Sequence, residues 1–225
     1  MNSNLLHTIL VWAPGVLFAI TLHEWAHGFA ASRYGDTTPA RMGRLTLNPL
    51  PHIDPIMTLL VPGLMLATSL MTVGTPFIFG SAKPVPINPN QFRRSGMALR
   101  LALFWVAFAG PLINFLLALL AGGSLRLLIT SSGGDPPMLL VEMLVAAIKM
   151  NVILGVFNLF PLPPLDGGRM ATALLPHPLD RSLAGLERYG LAIVLLLAFS
   201  GLLGKLLAPI MSAAVRFFIG LAVPL

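Results

Sequence analysis

Residues 8–31 form an apolar run long enough to cross a bilayer, yet its second half reads "ITLHEWAHGF" and carries His23, Glu24 and His27. A spanning helix needs about 20 mostly apolar residues, and hydrocarbon offers the backbone no hydrogen-bond partner, so such a run must be helical. Ionisable side chains inside it are costly and mark function by default. The remainder of the chain obeys the same constraint. It is 56% hydrophobic and 10% charged, with a mean hydropathy of +0.85, whereas soluble domains carry about a quarter charged residues. The expected fold class is an all-α polytopic membrane protein, with residues 1–225 forming a single integral-membrane domain.

Further spans are expected at residues 101–125 and 138–160, which with 8–31 make a three-helix core. Residues 56–80 are uncharged but interrupted by Pro62-Gly63 and by "GTP" at 74–76, which suits a broken or re-entrant segment, because non-helical backbone at membrane depth must be buried in protein or line a cavity. The tail reads as a helical hairpin of two segments, about 189–204 and 206–224, broken near Pro209.

The 14 Lys and Arg exceed the 8 Asp and Glu. In so apolar a chain that excess belongs in loops at the negative-inside surface of a lipid bilayer, not on nucleic acid. If residues 56–80 re-enter, Arg33, Arg41, Arg44, Lys83, Arg93, Arg94 and Arg100 share one face, joined by Arg169, Arg181 and Arg188. The expectation is an outside N-terminus and a cytoplasmic face holding residues 32–55, 81–100 and 165–188. Residues 1–22 lack the basic region and the cleavage-like break of a signal peptide. The absence of cysteine excludes disulfides and thiolate metal sites.

Residues four apart share a helix face, so His23 and His27 present two imidazoles side by side, the bite that holds one zinc ion. Glu24 points beside that pair, where it can take a proton from water activated by the metal without ligating it. A catalytic zinc usually has three protein ligands and one open position. His7 lies near the N-terminus and His177 in the "LLPHPLD" loop, so neither suits. Asp166, in "NLFPLPPLDGGR", suits best: Pro161, Pro163 and Pro164 prevent a regular helix, Gly167-Gly168 permits close backbone approach, and the carboxylate is expected on extended chain. A plain turn is the alternative for "LDGG" taken alone.

HEWAH at 23–27, "AGPLINF" at 109–115 and "NLFPLPPLDGGR" at 158–169, in that order, resemble the site-2 protease family of intramembrane zinc metalloproteases. The resemblance covers about residues 8–170. It implies one Zn2+ held by His23, His27 and Asp166, with Glu24 as general base and acid. The implied reaction is peptide-bond hydrolysis within or next to transmembrane segments of substrate proteins, in regulated intramembrane proteolysis. It also implies that Asn114 and Asn158 sit near the zinc and help hold the substrate strand or the developing oxyanion; helix–helix hydrogen bonding is their alternative.

Many members of that family carry a PDZ domain between core spans. The connection at 126–137 is too short for one, and the "NPLPHIDP" and "FGSAKPVPINP" stretches flanking the 56–80 run are similar to the compact subgroup without such domains; a separate substrate-selecting partner is one way to replace the gate. Residues 40–50, with alternation around Leu45 and Leu47, could form a small membrane-associated β element that an unwound substrate adds to, or an ordinary loop. His52, in "LPHIDP", could contact zinc or substrate, but is more often a turn or capping group. Glu142 and Lys149, seven apart on one helix face, read as snorkelling or internally paired groups. The resemblance and compact size point to a bacterial inner membrane. The rival readings are a membrane metal-ion transporter, which would need polar sites spread across the bilayer, and a nonproteolytic zinc-binding membrane protein, which would have no use for Glu24.

Overall fold

The computed structural model of the chain describes residues 3–56, 82–93 and 96–222. The broken or re-entrant segment expected at 56–80 therefore lies outside the described residues, save Ile56. Eight α-helices are described: α1 (Ser3–Arg33), α2 (Thr38–Arg41), α3 (Gly96–Ser131), α4 (Met138–Asn158), α5 (Asp166–Leu174), α6 (Leu179–Gly185), α7 (Glu187–Phe199) and α8 (Leu202–Ala222), with 3-10 turns at Leu50–His52 and Pro89–Gln91. By length and composition α1, α3, α4 and α8 can each cross a membrane, and the pair α6 and α7, bent by 66°, makes a fifth span if counted as one. This is an all-α polytopic membrane protein.

The spans run past their expected limits. α1 has 31 residues, about 46 Å at 1.5 Å per residue, against about 30 Å of hydrocarbon, so its ends reach beyond the apolar layer. Pro14 and Pro111 lie inside α1 and α3, where neighbouring helices can compensate a lost backbone bond. The C-terminal break falls elsewhere than expected. Gly201, with φ +73°, makes the turn between α7 and α8, and Pro209 stays within α8. A glycine takes that left-handed backbone at little cost, which a proline inside a helix cannot match as a turn.

α1, α3 and α4 pack against one another, and α8 closes over α3 and α4. Lipid is as apolar as leucine, so close packing holds such helices together and small residues let them approach. Ala19, Ala102, Ala107, Ala118 and Ala146 are all buried. A Cβ placed on Gly15 would stand 3.1 Å from the Cα of Ala147, so α1 and α4 touch nearly backbone to backbone. Ala118 and Leu125 of α3 meet Ile148 and Val152 of α4, with Phe218 of α8 packed against them and stacked on Phe115. Large apolar side chains such as Phe18, Leu120 and Phe217 point outward, as a lipid-facing surface requires.

The segments that follow α1, precede α3 and follow α5 meet at one end. Arg93 N–H donates to the Tyr34 carbonyl, Asn88 N–H to Asp36 Oδ2 at 2.7 Å, and Arg100 reaches the Ala173 carbonyl at 2.9 Å, the Leu175 carbonyl and Asp180. Segments expected to share one face thus meet there. No strand occurs among the described residues, so the β element expected at 40–50 is corrected: local partners consume its backbone donors. The N–H groups of Arg44 and Leu45 both reach the Pro39 carbonyl, that of Asn48 reaches Thr46 Oγ1 and that of Leu50 reaches Asn48 Oδ1.

Candidate metal centre

The i, i+4 spacing on α1 brings the rings of His23 and His27 to a centroid separation of 4.7 Å, nearly perpendicular. Both residues are buried, ten and six positions before the end of α1 at Arg33. His23 therefore lies about 15 Å inside that helix end. α5 brings the third group. Asp166 is its first residue, with Leu165 before it in extended conformation, so the carboxylate stands at a helix N-terminus and not on extended chain. The correction has a local cause: the Pro161–Pro164 stretch stays non-helical, but its restraint ends at Leu165. A Cβ on Gly167 would overlap the Leu159 carbonyl, and one on Gly168 the backbone of Pro163. The paired glycines seat the first turn of α5 directly on the proline loop.

Asp166 Oδ2 lies 3.1 Å from His23 Nε2 and 3.3 Å from His27 Nε2, and the two Nε2 atoms are 3.2 Å apart. Hydrogen bonds on the far sides of the rings decide what faces inward. His27 Nδ1 is 2.7 Å from the Val106 carbonyl, which can only accept, so Nδ1 carries the proton. His23 Nδ1 donates to Asn114 Oδ1 at 2.6 Å. Asn114 is turned that way because its Nδ2 donates to the Ala19 carbonyl at 3.2 Å and to Asn151 Oδ1 at 2.9 Å, while Asn151 Nδ2 donates to the Ala147 carbonyl. With Nδ1 protonated, each neutral ring offers an Nε2 lone pair to the centre.

Three lone-pair atoms then confront one another, and Asp166 Oδ2 is buried without a hydrogen-bond partner. Such a cluster could hold a metal ion. A tetrahedral zinc with bonds of about 2.0–2.1 Å separates its ligands by about 3.3–3.4 Å, close to the observed edges of 3.1, 3.3 and 3.2 Å. The donor set of two imidazoles and one carboxylate is a catalytic type that leaves a fourth position. Among the described residues this is the one group of three or more His, Asp or Glu that could hold a metal ion. Gly110 makes room for it: a Cβ there would run into both imidazole rings.

Glu24 is half-buried, and its Oε2 accepts the backbone N–H of Val85 at 2.8 Å. Two further site candidates make other contacts. Asn158 Nδ2 bonds back to the Leu154 carbonyl of its own helix at 3.0 Å. His52 is fully buried but donates from Nε2 to the Thr46 carbonyl at 3.0 Å, and its own carbonyl accepts the N–H of Lys83. Neither belongs to the three-residue cluster. Glu142 is internally paired, with His7 at 3.0 Å. Asn151, the Val106 carbonyl and Gly110 were missed by sequence reasoning. An asparagine within the apolar 138–160 run was the one signal that could have exposed Asn151.

A polytopic helical membrane protein with a buried two-histidine, one-aspartate centre defines a narrow class. The sequence profile of peptidase family M50 matches residues 128–198. The chain is 34% identical over 204 residues to "Putative zinc metalloprotease YwhC" of Bacillus subtilis (strain 168), spanning 88% of this chain and 84% of that protein. It is 33% identical over 199 residues to "Putative zinc metalloprotease Rip2" of Mycolicibacterium smegmatis, spanning 88% of this chain and 69% of that protein. The Rip2 protein of Mycobacterium tuberculosis strain H37Rv is 33% identical over 187 residues, or 81% of this chain and 64% of its own length. No solved structure gives a significant match. The chain belongs to peptidase family M50, the site-2 protease family of zinc metalloproteases.

Proposed function

We propose that the protein is an intramembrane zinc endopeptidase that hydrolyses peptide bonds within or next to transmembrane segments of substrate proteins. The observation that carries this reading is the buried triangle of His23 Nε2, His27 Nε2 and Asp166 Oδ2, built inside helices apolar enough to cross a membrane and beside a carboxylate that is not a ligand. These three residues hold one zinc ion. When bound, zinc supplies the Lewis acidity that polarises a scissile carbonyl and makes water nucleophilic near neutral pH.

The residues of the chain supply the rest. Asn114 and the Val106 carbonyl hold both imidazoles in the tautomer that directs Nε2 inward. Glu24, one position after a ligand, takes the proton of the attacking water and passes it to the leaving amine. Val85 N–H occupies Glu24 Oε2, which leaves Oε1 to face the water. A substrate helix hides its carbonyls in its own hydrogen bonds, so it must unwind before attack. Transmembrane proteins are therefore the substrates, the lipid bilayer is the setting, and a partner that selects substrates replaces the absent PDZ gate. The multi-pass protein sits in the bacterial inner membrane with the loop end of the bundle in the cytoplasm.

The test is cleavage of a panel of single-span proteins by purified enzyme in liposomes, with Glu24→Gln and a chelator as controls. Cleavage inside the span should fall by about 10²- to 10⁴-fold in Glu24→Gln while zinc content stays. Full activity in that variant would remove Glu24 from the reaction. Metal movement across the vesicle membrane without cleavage would move the protein to the transporter reading.

A further inference from the structure

Val85 sits in a non-helical strap, residues 82–88, that reaches Glu24 from the loop end of the bundle. Glu24 lies nine residues, about 13 Å, inside the end of α1. Non-helical backbone at such depth needs partners, and the strap has an unusual set. Arg44, itself buried, donates from Nη2 to the Lys83 carbonyl and to the Pro84 carbonyl at 3.1 Å. The His52 carbonyl accepts the N–H of Lys83 at 2.9 Å. Asp36, fully buried, accepts the N–H of Asn88 at 2.7 Å and that of Thr38 at 2.8 Å. The Val85 side chain is buried as well, against α1 at Gly28, where an added Cβ would meet it at 3.1 Å.

A buried guanidinium whose Nη2 donates to two consecutive backbone carbonyls fixes the second peptide plane, which the Pro84 carbonyl shares with the Val85 N–H. That N–H is the one on Glu24. We propose that Arg44 is a positioning residue: by clamping the Lys83 and Pro84 carbonyls it holds the Val85 N–H on Glu24 Oε2 and so fixes the orientation of the carboxylate. Asp36 and the His52 backbone pin the strap on either side. Pro84 and Pro86 flank Val85 and have no N–H, so the strap offers Glu24 the Val85 donor with no amide neighbour to compete. The assignment of a catalytic task to Glu24 rests on the proposed function; the clamp itself does not.

Two readouts on the full-length protein in lipid separate these levels. Hydrogen–deuterium exchange across residues 83–88 reports the amides of Lys83, Val85, Ile87 and Asn88, because the remaining positions are prolines. Val85 should be protected in the wild type and should exchange faster in Arg44→Ala and in Glu24→Ala. Arg44→Lys, which can reach one carbonyl, should lie between. Zinc content should match the wild type in both Arg44 variants, which guards against simple misfolding. On a cleavable span, Arg44→Ala should lower kcat by about tenfold to a hundredfold, as misorientation of a reacting group does, with KM nearly unchanged. Val85→Pro, which deletes the donor, should reproduce that loss.

Unchanged Val85 protection in Arg44→Ala would overturn the clamp. Faster exchange with full kcat, or a kcat that rises, would overturn the positioning role, the second result marking the strap as a cover. If the wild type cleaves no span, the functional reading fails, and the exchange arm still decides whether Arg44 sets the Val85–Glu24 bond.

Discussion

α1 makes two histidine–carboxylate contacts of nearly equal length, and only one of them belongs to a cluster that could hold a metal ion. Near its N-terminus His7 Nε2 lies 3.0 Å from Glu142 of α4; further along, His23 Nε2 lies 3.1 Å from Asp166 of α5. The His7 and Glu142 side chains are 54% and 34% exposed, those of His23 and Asp166 7% and 8%. The difference lies in what surrounds the pair. A partly solvated pair is screened and holds no fixed geometry. The buried one has a second imidazole, Nδ1 bonds to Asn114 and Val106 that fix both tautomers, and an oxygen left without a hydrogen bond. Distance makes a contact, whereas fixed lone pairs converging in a buried cluster can hold a metal ion.

That contrast can be broken at several points. Asp166→Asn should have the largest effect. It removes the carboxylate charge, and zinc affinity should drop by more than the roughly 10- to 100-fold typical of losing an outer partner; metal analysis after dialysis checks it, and retained zinc would dismantle the ligand set. Gly110→Ala comes next. Its methyl group would intrude on both rings, so it should weaken zinc binding and cost about 1–3 kcal/mol of stability, the usual range for overpacking. A thermal melt with and without metal separates the two effects.

Asn151→Leu should be milder. It removes the acceptor that keeps Asn114 Nδ2 turned away from His23, so zinc affinity should fall by about tenfold while the zinc ligands stay in place. A competition titration with a metal indicator measures this, and wild-type affinity would reduce the asparagine chain to helix packing. His7→Ala should do least, within about 1 kcal/mol of stability, with zinc content and cleavage as in the wild type. A loss of activity there would erase the distinction between the two ends of α1.

The legible parts of this protein are those in which covalent spacing and solvent leave little choice. Twenty apolar residues in hydrocarbon must be helical, so α1, α3 and α4 could be read with only their ends in error. Histidines four apart must share a face, so the buried, adjacent pair of imidazoles could be read. The misreadings fell where local rules compete. Pro209 was taken as the break in the tail, but a helix packed against its neighbours carries a proline, and Gly201 made the turn. Asp166 was placed on extended chain, yet the proline stretch ends two residues earlier, at Pro164, and α5 begins after Leu165.

By itself the sequence determined the membrane setting, the three core spans, the i, i+4 imidazoles and a carboxylate in "LDGG" able to complete them. The tertiary structure alone decided which distant atoms orient that machinery: Asn114, 91 residues from His23, Val106, 79 from His27, Asn151, 37 from Asn114, and Val85, 61 from Glu24. The physical reason is that a helix fixes directions only within a few residues of itself. Which carbonyl or amide meets an imidazole across the bundle depends on how two helix faces approach, and Gly110, by lacking a side chain, lets them come close enough.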